Sequence, residues 1–98
     1  MIIAQLSIAP VGKGTSLSTY VEKVIEILDN EGINYQINPM ATVIETEDLN
    51  TLFTVVQKAH KAVIQAGAQR VITELKIDDR LDKNASMNSK LKSFHFSK

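Results

Sequence analysis

The chain has 98 residues, 44% of them apolar and 22% charged, with 11 basic and 11 acidic side chains and no cysteine. That length supports one domain over 1–98 with a single core, and a net charge of zero leaves no surplus of Lys and Arg to neutralise nucleic-acid phosphates. Disulfides, thiolate zinc sites and cysteine nucleophiles are excluded. No run approaches the roughly 18 continuous apolar residues of a membrane span. The opening MIIAQLSIAP lacks the basic region of a signal peptide. The expectation is a cytoplasmic, soluble domain with no nucleic-acid partner and no membrane insertion.

In chain order, Ile2, Ala4, Leu6 and Ile8 alternate with Ile3, Gln5, Ser7 and Ala9. This predicts a strand with one apolar and one mixed face. Pro10, Gly12 and Gly14 end it within PVGKGTS. Thr15 or Ser16 is placed to cap a helix, whose apolar stripe is Leu17, Tyr20, Val21, Val24 and Leu28. Gly32 is a natural stop. Ile33, Tyr35 and Ile37 alternate with Asn34, Gln36 and Asn38 as a second strand. Pro39 cannot donate to a ladder, so it marks a strand end or a bulge. Residues 40–46 are β-branched and extended. Asp48 is placed to cap a second helix, with Leu52, Phe53, Val56, Ala59, Val63 and Ile64 as its stripe and Gly67 as its stop. Residues 70–77 alternate again, with Val71, Thr73, Leu75 and Ile77 set against Arg70, Ile72, Glu74 and Lys76. The chain then turns polar. One short helix is expected over 87–94, and the tail from 84 to 98 is expected to fray.

Strand, helix, strand, strand, helix, strand is the α+β, ferredoxin-like βαββαβ order. Right-handed crossovers put both helices on one face of a four-stranded antiparallel sheet. The other face is left bare and carries mixed residues, which points to an interaction or ligand surface. In this topology the last strand pairs with the first, so Ser7 and Gln5 should sit beside Glu74 and Lys76. Thr42 is expected on their other side. Such a cluster is either a small-molecule site or a cross-strand ion-pair network at a contact between copies.

Other candidates have plainer explanations. PVGKGTS offers Lys13 and hydroxyls before a helix, where anions are attracted, but lacks the full phosphate-loop spacing and reads as a capped connection. His60 and His95 have no metal-ligand spacing, so no metal is expected. In KIDDR, paired acids could work as acid and base, whereas internal ion pairs at a strand end are the simpler account. Glu45 lies in the extended run, and its face depends on whether Pro39 makes a bulge.

Three stretches, LSIAPVGKGTSLSTYV, YQINPMATVIE and KAHKAVIQAGAQRVITELKIDDRLDK, are similar to the thiamine-binding protein family of small ferredoxin-like domains. The resemblance runs from Ile2 to Lys83. It implies binding rather than catalysis, of thiamine or its hydroxymethylpyrimidine half, without a cofactor. It also implies self-association as dimers or tetramers, through the sheet edge and the bare face. Matching positions are Ser7, Pro10, Met40, Thr42, Glu45, Arg70, Lys76 and Asp78, with Asn38 in the position two before Met40. Thiamine is a cation with an aminopyrimidine. Carboxylates such as Glu45 would favour its charge, and the Ser7 and Thr42 hydroxyls could pair with ring nitrogens and the amine. Two alternatives are an assembly or regulatory subunit that uses the bare face alone, and an enzyme using Asp78, Asp79 or Glu45.

Overall fold

The computed structural model describes residues 1–12, 17–82 and 84–92. Its elements are β1 (Ile2–Pro10), α1 (Ser18–Asn30), β2 (Asn34–Ile37), β3 (Thr42–Thr46), α2 (Leu49–Gln65), β4 (Val71–Asp78) and α3 (Met87–Lys92). The strands form one antiparallel sheet in the order β2-β3-β1-β4, which is the expected ferredoxin-like arrangement. Lys13, Gly14, Thr15 and Ser16 lie outside the described residues, and with them the phosphate-loop-like motif and both expected caps of α1. Leu17 occupies the cap position of α1 and makes no side-chain cap bond. His95 also lies outside the described residues.

The core follows from alternation meeting helical periodicity. Ile2, Ala4 and Leu6 of β1 and Ile44 of β3 point to the helices. There they meet Val24 and Leu28 of α1 and Leu52, Val55, Ala59 and Val63 of α2. Both long helices stop in the same way. Gly32 (φ 66°) and Gly67 (φ 116°) take the left-handed conformation. Ile33 N–H then donates to the Leu28 carbonyl at 2.9 Å, and Ala68 N–H to that of Val63 at 3.4 Å. These six-to-one closures satisfy carbonyls that the helix leaves unpaired, and a side chain at either glycine would strain the turn.

Asp48 caps α2 by accepting from the Thr51 N–H at 2.7 Å. That bond holds its carboxyl below the ordinary value of 3.8. A depressed folded pKa contributes stability that is complete above the unfolded value and is lost as pH falls through the folded one. Asp48→Ala is therefore expected to lower the melting temperature by several degrees at pH 7. The deficit should shrink below pH 3.8; thermal melts of both proteins at pH 7 and pH 3 measure it. A deficit that stays constant with pH would contradict the capping role.

Candidate ligand-binding site

The β2–β3 connection decides how the site is built. Ile37 pairs with Thr42, and the Asn38 N–H donates to the Ala41 carbonyl at 2.9 Å. Pro39 and Met40 are thus a two-residue hairpin tip. Pro39, which has no N–H to give, sits where none is needed. The tip is no bulge: pairing runs without a skip from Tyr35↔Ile44 to Ile37↔Thr42 on one side and from Ile2↔Thr46 to Leu6↔Thr42 on the other.

That register fixes the faces. Thr42 pairs with Leu6, and Glu45 pairs with Ile3. Residues three apart on a regular strand point oppositely, so Thr42 faces the helices and Glu45 the open side. The expectation of Thr42 on the open side is corrected accordingly, and the β3 neighbour of Gln5 there is Val43.

The open face consists of cross-strand rows. One runs Asn34, Glu45, Ile3, Asp78. The next runs Gln36, Val43, Gln5, Lys76. Beyond it Ser7 lies opposite Glu74, as the topology predicted.

The first row is not bare. Glu45 is only 8% exposed. Its Oε1 accepts from Asn34 Nδ2 at 3.0 Å and its Oε2 from the Met87 N–H at 2.7 Å. Lys90 forms an ion pair with Asp78. The segment leading into and forming α3 is therefore tied to β3 and to β4. It crosses Ile3 on β1 between them, which accounts for the burial of Ile3 at 5% on a face without core helices. Ser86 and Ser89 exchange backbone-to-side-chain bonds at its start, at 2.8 and 3.0 Å, and the N-terminal amine donates to Asn84 Oδ1 at 3.0 Å. The described part of the expected fraying tail is thus an anchored strap.

Two hollows flank the hairpin. A hollow of about 450 Å³ on the open face is lined by Gln5, Ser7, Asn38, Met40, Ala41, Glu74, Leu75 and Lys76. A second, of about 380 Å³, lies toward α1. Leu6, Ile8, Val21, Val24 and Ile37 give it apolar walls, and Ser7, Asn38 and Thr42 give it polar groups. Ser7, Asn38, Met40 and Ala41 line both, so the tip of the hairpin is the partition between them. Met40 is 89% exposed, so its thioether is open to solvent at the tip.

A family model described as thiamine-binding protein matches residues 4–95. The chain belongs to the thiamine-binding protein family. A UPF0045 protein of Methanothermobacter thermautotrophicus is 46% identical over 94 residues, 95% of each chain. The crystal structure of MJ1052 from Methanocaldococcus jannaschii matches with a TM-score of 0.87 at 39% identity, covering 94% of this chain and 93% of that one. A Thermotoga maritima protein, described provisionally as one of thiamine biosynthesis or salvage, matches with a TM-score of 0.82. Its identity is 19%, over 96% of this chain and 98% of its own, so that likeness shows the fold alone.

The site residues expected from the sequence fall into three groups. Ser7, Asn38 and Met40 gather at the hairpin, joined by Thr42 on the helix side and Lys76 on the open side. Glu45 and Asp78 lie at the far end, engaged by the strap. Arg70 precedes β4, where its carbonyl accepts from the Val11 N–H at 2.8 Å; Pro10, beside it, pairs with Val71. Ala41 and Leu75 escaped the sequence reading because nothing in their chemistry marks a ligand contact. Of the KIDDR charges, Asp78 pairs with Lys90, and Arg80 holds Asp82 by two bonds of 2.8 and 3.1 Å. His60 Nδ1 lies 2.6 Å from Thr73 Oγ1 on the helix side, away from both hollows.

Proposed function

We propose that this domain binds thiamine or a hydroxymethylpyrimidine relative at the Asn38–Ala41 hairpin, holding it without chemical change. The observation that carries this is the convergence of Ser7 and Met40, two positions of the family resemblance, with Asn38 beside them, on hollows either side of one turn. The Ser7 hydroxyl and the Asn38 amide supply both donors and acceptors for an aminopyrimidine. The Met40 thioether offers a polarizable surface to a ring, a role that no aromatic among the described residues lining the hollows fills. Glu74 adds an anion for the thiazolium charge. Catalysis finds less support, because His60 is turned to Thr73 and Asp78 is paired with Lys90.

Self-association is the second part of the proposal. Met40 and Ile72, the latter 48% exposed, leave apolar surface at the hairpin end of the open face, away from the described contacts of the strap with Glu45 and Asp78. A second copy laid there would wall the open hollow. Isothermal titration with thiamine should give saturable heat with one site per chain. No heat at millimolar thiamine, with the folded protein verified by circular dichroism, would overturn the binding reading and leave assembly as the function of the face.

A further inference from the structure

The open hollow contains two opposite charges that do not neutralise each other. Glu74 and Lys76 both line it. They lie two residues apart on the same side of β4, opposite Ser7 and Gln5 of β1, which separates their attachment points by roughly 7 Å. Among the described residues neither takes part in an ion pair: the four present join Lys23 to Glu26, Lys58 to Glu31, Arg80 to Asp82 and Lys90 to Asp78. Within one copy, then, the described residues form no cross-strand ion pair from these two charges. The chain does pair its charges one row further on, where Asp78 meets Lys90.

A purely cationic ligand makes use of Glu74 and is repelled by Lys76. A ligand with a cation and an anion a few bonds apart makes use of both. We propose, resting on the binding reading above, that the ligand preferred at this site is dipolar: a cationic heterocycle that carries a phosphate monoester on a short arm. Its positive ring lies between Glu74 and the Asn38–Met40 side of the hollow. Its phosphate lies toward Lys76, with the Gln5 amide as a second donor. In thiamine the alcohol that would carry the phosphate hangs from the cationic ring by two carbons, a reach that fits the spacing of the two side chains. A Lys–phosphate contact is a charge-assisted hydrogen bond, among the stronger polar interactions available at a half-open site.

The test is calorimetric titration of the full chain with thiamine and with thiamine monophosphate, each against wild type, Lys76→Gln, Lys76→Arg and Glu74→Gln. Wild type should bind the monophosphate about tenfold tighter than thiamine. Lys76→Gln should bring that ratio close to one, and Lys76→Arg should restore most of it. Glu74→Gln should weaken both ligands while preserving the ratio. Equal affinities in wild type, or a ratio indifferent to Lys76→Gln, would overturn the dipolar assignment while leaving thiamine binding intact. Absence of heat with both ligands would overturn the binding reading and this inference together. Sedimentation velocity on the same variants covers the competing role. If Glu74→Gln and Lys76→Gln dissociate an assembly and leave the ligand ratio unchanged, the two charges serve a contact between copies and the inference fails.

Discussion

Glu45→Ala is expected to release the C-terminal strap from the sheet. The Glu45 carboxylate is the acceptor for both Asn34 and the first residue of α3, and its removal leaves the Met87 N–H without its partner in a part-buried position. Losing a hydrogen bond to a charged group costs about 1.5–3 kcal/mol, more than a six-residue helix can supply alone, since isolated helices that short do not persist in water. Hydrogen exchange should show protection lost over residues 87–92 and retained in α1 and α2, with Ile3 newly exposed beneath. Glu45→Gln should also loosen the strap, because both partners are donors and the new amide presents a donor to one of them. Unchanged exchange in either variant would contradict the anchoring role. With both of its oxygens occupied, Glu45 acts at the end of the face, and contact with a ligand would require the strap to lift.

Leu52→Ala is expected to have the largest effect on stability. Leu52 is fully buried in α2 within the one core cluster described, and truncation of such a residue costs about 2–5 kcal/mol. A chain this long has a total stability of roughly 5–15 kcal/mol, so this change removes a large share of it. Phe53→Ala, one residue along, should stay within about 1 kcal/mol, because Phe53 is 51% exposed and surface truncations are mild. Urea denaturation of the two variants measures the difference. Equal midpoints would mean that α2 is rotated relative to the description above.

The same pair of residues shows what the sequence could and could not reveal. The strands, the glycine stops and the Asp48 cap were legible because each is a local requirement of backbone geometry. The stripe of α2 was legible to within its margins. At about 100° per residue, Phe53 and Ile64 both fall on one edge of the stripe, roughly 100° and 120° from Leu52. Val55, about 60° to its other side, is buried instead. Hydrophobicity alone does not separate a stripe's edge from its centre.

The site was legible in its β1–β4 half, where topology alone sets Ser7 against Glu74 and Gln5 against Lys76. Its β3 half was not, since Pro39 permitted either a tip or a bulge and the two differ by one residue of register. Once the tip is fixed, Thr42 and Glu45 cannot share a face whatever their chemistry. The strap was illegible for a different reason. The bond between Met87 and Glu45 spans 42 residues, and no local pattern encodes a contact at that separation.

A ligand seated at the hairpin partition would be seen by amide chemical-shift mapping during a thiamine titration. The predicted result is saturable perturbation centred on Ser7, Asn38, Met40, Ala41 and Glu74, with little at α2. Perturbations centred on the strap or on α2, or none at saturating ligand, would contradict it.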